Sequence, residues 1–350
     1  MVEFRTNNFD LLRIFAASQV LVLHAFYRLD VAEPIWVHPL DMFPGVPIFF
    51  IISGILVSAS LEKAPSLPLY FRNRFLRIFP GLWVCVAITA IVTAAFGFST
   101  ASPSGIVWFV AQLAGLIYTP AFLHQFGVGT YNGNLWTIPV ELQFYVVIPI
   151  VYWIGSRLKA TTAAILIALV AFVALADAVH YIFPNMGYEE EPQAGKLLRY
   201  TFVPHFYMFL FGVALRRLRI YERPWIAGRL WIWLPLYVAE QYGVSALGIA
   251  RVPEVLIVSS LMLGVVALSA AYTLPELAER TLRGNDISYG VYMYHGLVIN
   301  VLVQLAWPLG NWWVTPVVIL VSVLLGYASW RLVESPALRW GKAPRRIPAL

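Results

Sequence analysis

Long apolar stretches and short polar joints alternate along this chain from end to end. Apolar runs cover about 9–29, 43–62, 76–97, 104–122, 136–155, 161–181, 199–216, 230–247, 253–273, 287–307 and 313–332. Most approach 20 residues, the length an α-helix needs to cross a hydrocarbon core of about 30 Å. A β-barrel would instead show short segments of alternating hydrophobicity. The pattern predicts an all-α, polytopic integral membrane protein. It is read as one transmembrane domain over 1–340, followed by a short basic tail over 341–350. The first run follows a polar start and lacks a small-residue cleavage site, so it is expected as a retained span rather than a signal peptide.

Charge placement sets the expected topology. Cytoplasmic joints of membrane proteins are rich in Lys and Arg. If every run crosses, the basic joint at Arg157 and Lys159 falls on the wrong side. Treating 104–122 as a re-entrant or interfacial segment restores the alternation. About ten spans result, with both termini cytoplasmic. Arg72, Arg74, Arg77, Arg157, Lys159, Arg216 and Arg217 are then inside, while Asp30, Glu33, Asp41 and the acidic run Glu189 to Glu191 are outside. Segment 98–135 becomes an outer loop without a single Lys, Arg, Asp or Glu. A backbone this apolar and irregular is tolerated only where protein or a cavity covers it. The plainer reading of 104–122 is an ordinary span with an orientation exception.

Composition narrows the class. Of 350 residues, 60% are hydrophobic and 12% charged, with a net charge of +6. Soluble domains carry about 25% charged residues. The positive charge lies beside the spans, so it reads as a topology signal and not as a nucleic-acid surface. A single cysteine, Cys85, excludes an internal disulfide, and no Cys/His cluster has metal spacing.

Ionisable groups inside apolar runs are costly in lipid and mark functional sites by default. Arg13 and His24 lie in the first run, three helical turns apart, on one face and about 16 Å apart along the axis. Glu141 lies about a turn and a half into the run after Trp136, at a depth expected to match His24. An imidazole is the usual general base, and a nearby carboxylate would orient it. Taken alone, His24 reads equally well as a hydrogen-bonded core histidine. In Asn134-Leu-Trp-Thr-Ile-Pro-Val-Glu141, Asn134 or Thr137 could cap a helix and Trp136 could sit in an aromatic belt. Arg72, Arg74 and Arg77 lie in an inner joint that starts at Tyr70. Arginine forks suit phosphate, though a positive-inside anchor explains them as simply. Small residues from Gly45 to Gly54, around Ser53, suit close helix packing. His295, with Tyr289, Tyr292 and Tyr294 nearby, reads first as a structural hydrogen-bonding residue.

Six segments occur in order: Arg13 with His24, Phe49-Phe-Ile-Ile-Ser-Gly54, Arg74-Phe-Leu-Arg77, Leu135-Trp-Thr-Ile-Pro-Val-Glu141, Ile287-Ser-Tyr-Gly-Val-Tyr-Met-Tyr-His295 and Val333-Glu-Ser-Pro336. Together they resemble acyltransferase family 3, membrane-bound O-acyltransferases that modify bacterial envelope and secreted glycans. The resemblance runs from about residue 9 to 336. It implies about ten spans in a bacterial cytoplasmic (inner) membrane, a cytoplasmic acyl-CoA donor such as acetyl-CoA, and a sugar hydroxyl as acceptor. It implies that His24 is catalytic, that Arg13 is essential, that Arg74 and Arg77 (with Arg72 beside them) serve the donor, and that Glu141 is the acidic position. Many relatives carry a further C-terminal hydrolase-like domain; none is expected within these 350 residues. The His-x4-Asp signature of soluble acyltransferases is absent, because Asp30 falls one residue late after His24.

The mechanism expected on this resemblance threads a thioester from the arginines toward His24. There His24 deprotonates the acceptor or carries the acyl group. Ser53, Asn134 or Tyr292 would hold the oxyanion, with Trp136 and His295 as supporting residues. No metal is expected, and the partners are acyl-CoA, a glycan or lipid-linked sugar and membrane lipid. Monomer and homodimer both stay open. Two rival readings stand beside it. One is a proton-coupled exporter of a glycan or lipid-linked precursor, which buried Arg, His and Glu would suit. The other is a lipid-binding scaffold using Arg74 and Arg77 for headgroups.

Overall fold

The computed structural model describes residues 7–98, 100–184, 186, 192–249, 252–307 and 309–342. Among them there is no strand. The α-helices are α1 (Phe9–Arg28), α2 (Gly45–Lys63), α3 (Leu67–Ala95), α4 (Pro103–Leu113), α5 (Thr137–Arg157), α6 (Thr161–Ile182), α7 (Gln193–Arg199), α8 (Phe206–Arg217), α9 (Leu230–Ala246), α10 (Pro253–Ala271), α11 (Leu277–Leu282), α12 (Ser288–Gln304), α13 (Val314–Ser329) and α14 (Ser335–Lys342). A π-helical turn, Trp330–Glu334, joins the last two. The acidic run Glu189 to Glu191 and most of the basic tail, 343–350, lie outside the described residues.

Seven described stretches are long and apolar enough to cross a membrane: Phe9–Arg28, Gly45–Lys63, Leu67–Ala95, Gly133–Arg157, Thr161–Ile182, Pro253–Ala271 and Val314–Gly341. Three more expected spans appear as shorter helices, the 12-residue α8 and the 17-residue α9 and α12. The run at 199–216 is not continuous, because α7 stops at Arg199 and α8 starts at Phe206. The run at 104–122 yields only the 11-residue α4. At 1.5 Å per residue that is about 16 Å, too short for a full crossing. The inner joint expected from Tyr70 is helical, since α3 starts at Leu67 and continues for 29 residues through Pro80. Such a helix is about 44 Å long and exceeds the hydrocarbon thickness.

The chain folds as two compact units. The first comprises Met1–Leu23, Glu33–Lys63 and Trp136–Asp286. Glycines set its closest approaches. A Cβ on Gly54 would stand 2.0 Å from the Phe209 carbonyl oxygen, and one on Gly212 would stand 2.0 Å from that of Ile51. Helices α2 and α8 therefore cross backbone to backbone, as small residues permit. Gly45 packs in the same way against the Ala16 carbonyl of α1. At the last turn of α2, Glu62 gathers Arg216 at 2.8 Å, Arg217 at 2.9 Å and the Tyr152 hydroxyl at 2.9 Å.

The second unit comprises His24–Ala32, Ala64–Leu135 and Ile287–Leu350. Its interior helix is α12, buried almost without a break from Gly290 to Asn300. A helix buried all round is one that neighbours enclose on every side. On one side Gly290 meets Gly326 of α13, where a Cβ would come within 2.7 Å of the Gly326 Cα. The uncharged segment before α5 closes another side. Asn300 Nδ2 donates to the Thr130 and Tyr131 carbonyls, the Asn300 Oδ1 accepts from Val128 N at 2.8 Å, and Gln304 Oε1 accepts from Gly127 N at 2.9 Å. Side chains of α12 thus satisfy the irregular backbone, as a buried polar backbone requires.

Candidate active site

The second unit brings two imidazoles together. His24, in the penultimate turn of α1, has its Nδ1 3.1 Å from Nε2 of His295 on α12. The rings are 5.2 Å apart and tilted by 43°. His295 is fully buried, and its Nδ1 lies 3.2 Å from the Val291 carbonyl oxygen one turn back. This order fixes the tautomers of two neutral rings. A carbonyl can only accept, so His295 Nδ1 carries hydrogen. His295 Nε2 is then an acceptor, and His24 Nδ1 donates to it. The remaining nitrogen, His24 Nε2, carries a lone pair. A base oriented by a second group, itself anchored to backbone, is the arrangement that general-base catalysis needs.

The surroundings of His295 hold it in place. Asn134 Nδ2 donates to the Tyr292 carbonyl at 2.6 Å, and the Tyr292 hydroxyl returns a bond to the Asn134 carbonyl at 2.6 Å. Asn132 Nδ2 donates to the Met293 carbonyl at 2.8 Å. The two asparagine Oδ1 atoms close over Gly296, where a Cβ would meet them at 2.1 and 2.2 Å. Asn134 therefore does not cap α5. That helix follows a 3₁₀ turn, Gly133–Trp136, and makes no side-chain cap bond.

The other sequence candidates fall into separate groups. In the first unit, Glu141 Oε1 accepts from Ser53 Oγ at 2.9 Å and from the Tyr145 hydroxyl. His24 has His295 on its Nδ1, in the place foreseen for a carboxylate. Arg13 Nη1 contacts Asp10 Oδ1 at 3.1 Å and the buried Asp286 Oδ2 at 3.3 Å. The Trp136 ring packs edge-on against Phe50, lies 5.2 Å from the His205 ring and has the Arg199 guanidinium 5.9 Å from its centre. In the second unit, Arg72 donates to the Trp340 carbonyl at 3.2 Å and covers its ring at 5.8 Å. Arg74 and Arg77 share a face of α3, half-buried. Next to them, the Tyr289 hydroxyl of α12 donates to the Ile78 carbonyl at 3.0 Å. Among the described residues, no three His, Cys, Asp or Glu side chains gather as a metal site.

Sequence reading missed Asp286, Tyr145 and Arg28. Arg28 and Tyr145 carried a local signal, for they lie four residues after His24 and Glu141 on the same helical faces.

Comparison with known proteins gives this arrangement its context. The model of an acyltransferase-domain family, acyltransferase 3, matches residues 6–331. Nodulation protein 10 of Rhizobium leguminosarum bv. viciae is 34% identical over 95% of this chain and 93% of its own length. The O-acetyl transferase of Shigella phage Sf6 is 27% identical over 94% of this chain and 95% of its own. The peptidoglycan O-acetyltransferase OatA of Listeria monocytogenes is 24% identical over 85% of this chain, which spans 52% of that protein. No solved structure matches. With the match covering nearly the whole chain, and seven helices among the described residues long and apolar enough to cross a membrane, this is an integral membrane protein of the acyltransferase 3 family.

Proposed function

We propose that this membrane O-acyltransferase moves an acyl group, acetyl in the simplest case, from cytoplasmic acyl-CoA to a sugar hydroxyl of an envelope or exported glycan. The observation that carries the reading is the His24–His295 pair, which leaves a lone pair on His24 Nε2 in a chain related to named O-acetyltransferases. The protein lies in a bacterial inner membrane with both termini cytoplasmic, and residues 1–340 act as one catalytic domain.

In this reading Arg74 and Arg77 take the phosphates of coenzyme A by charge-assisted hydrogen bonds. The contact of Tyr289 with Ile78 puts the start of α12 beside these arginines. His295 follows six residues later, about 9 Å along the axis. An extended pantetheine arm spans such a distance, so a thioester can reach the imidazoles while the nucleotide stays at the arginines. His24 Nε2 takes the proton of the acceptor hydroxyl as its oxygen attacks the thioester carbonyl. Collapse of the tetrahedral adduct breaks the C–S bond, and His24 returns the proton to the departing thiolate. His295 acts through His24 by fixing its tautomer. Arg13, paired with two carboxylates, ties α1 to the segment that leads into α12. Glu141 acts with its carboxylate already ordered by Ser53 and Tyr145.

The test uses purified protein in lipid nanodiscs with radiolabelled acetyl-CoA and a panel of neutral and uronic-acid-containing oligosaccharides. Wild type is expected to release free coenzyme A and label a sugar. His24→Ala is expected to bind acetyl-CoA normally and transfer nothing. A folded His24→Ala protein that transfers at the wild-type rate would remove the assignment.

A further inference from the structure

The hydroxyls offered by sequence as oxyanion donors are already committed, and so is one of the two Asn134 amide hydrogens. The one Ser53 hydroxyl hydrogen goes to Glu141, the Tyr292 hydroxyl hydrogen to the Asn134 carbonyl, and an Asn134 amide hydrogen to the Tyr292 carbonyl. A cation stands beside the imidazoles instead. Arg28 lies one helical turn after His24 on α1, where i and i+4 side chains are neighbours. It is close enough to interact electrostatically with both His24 and His295. Its Nη1 is held by Thr130 Oγ1 at 2.9 Å, and its Nη2 lies over Gly133, 3.2 Å from where a Cβ would be. The side chain is half-buried, yet among the described residues no carboxylate lies within ion-pair distance of it. Arg13, Arg216 and Arg217 all have carboxylate partners.

A cation beside a general base opposes the base's protonation unless negative charge appears at the same moment. A half-buried cation without a carboxylate at hand also favours a counter-charge. One species supplies both, the oxyanion of a tetrahedral acyl adduct. We propose that Arg28 is a catalytic residue that donates to this oxyanion, using N–H groups not bound by Thr130. The inference rests on the acyltransferase reading above and deepens it. As the hydroxyl oxygen bonds to the thioester carbon, the carbonyl π pair moves onto oxygen beside Arg28 and the hydroxyl proton moves to His24 Nε2. The ion pair so formed replaces two neutral groups. When the C–S bond breaks, the pair returns to the carbonyl and the thiolate takes the proton. Because the charge exists only in the transition state and adduct, Arg28 should act on kcat and hardly on substrate binding.

The experiment measures thiol release from acetyl-CoA, with the labelled oligosaccharide and with water as acceptors, for Arg28→Gln, Arg28→Lys and Thr130→Val. Removing one oxyanion donor typically costs about 100-fold in kcat. Arg28→Gln is expected to lose about that much with donor and acceptor KM unchanged, Arg28→Lys to recover part of it, and Thr130→Val to lose several-fold. Monodispersity and thermal midpoint are measured on each variant, and Thr130→Val leaves the arginine itself in place. Folded variants with unchanged kcat would overturn the proposal. So would a defect confined to the KM of uronic-acid acceptors, which would make Arg28 a binding group for acidic sugars. Wild-type protein that releases no thiol, with any acceptor, would bring down the acyl-CoA reading and this inference together.

Discussion

His295 has one nitrogen on a backbone carbonyl and the other on His24, so it can hold one tautomer and one orientation of its partner. Removing it leaves His24 in place but free to turn or to hold its hydrogen on the other nitrogen. His295→Ala is expected to lower kcat about 10- to 100-fold, a part of what general-base catalysis supplies. Donor KM should stay unchanged. His295→Gln, whose amide oxygen can accept from His24, should recover a share of the rate. Equal losses in both variants would count against a positioning role. Arg13 presents a different case. Its partner Asp286 is buried, with its side chain 7% exposed. Removing one member of a buried pair leaves the other charge uncompensated, at roughly 3–5 kcal/mol. Arg13→Ala should therefore lose thermal stability and folded yield, while Arg13→Ala with Asp286→Asn should regain part of both. If the double variant is no more stable than the single one, the ion pair is not what Arg13 supplies.

Helix α12 turns these contacts into a rigid mount. Gly290 lets α13 approach one side of it, and Gly296 lets the Asn132 and Asn134 amides close over another. Between the two glycines lie His295 and, just before it, Tyr292 and Met293, whose carbonyls take the asparagine hydrogen bonds. Gly296→Ala forces both amides away from the helix. Overpacking of this kind costs about 1–3 kcal/mol. The thermal midpoint should fall, and kcat should fall with it because His295 shifts. Gly243, which has open space around its Cβ position, is the control and should tolerate alanine. A Gly296→Ala protein as stable and active as wild type would mean that the clamp does not hold the helix. The run at 287–307 was readable as a span, but not as the interior helix of its unit. Apolarity signals burial in lipid and burial in protein alike, and only the tertiary partners tell them apart. The same ambiguity hid the 3₁₀ turn before α5 and the break between α7 and α8.

At the scale of the molecule, the sequence exposed what lipid imposes and concealed what the chain does to itself. A membrane forces long apolar runs, so the helical class could be read from hydropathy, while charge placement singled out 104–122 as a segment that does not cross. Within the second unit His24 joins His295 across 271 positions, and within the first Arg13 joins Asp286 across 273. No local pattern encodes such pairs, and the order of motifs alone hinted that the two ends of the chain belong together. Cys85 offers a direct test of the packing that unites them. It is the one cysteine, it is fully buried in α3, and it lies 3.7 Å from the Met293 carbonyl of α12 and 3.8 Å from Asn132 Nδ2. A buried thiol reacts only when its surroundings open. In nanodiscs, a small maleimide should leave folded protein unlabelled under conditions that label detergent-unfolded protein to one equivalent. Gly296→Ala should label faster than wild type, since it loosens the asparagine contact beside the thiol. Labelling of folded wild type at the unfolded rate would show that α3, α12 and the segment around Asn132 do not close on one another, and the platform under His295 would go with them.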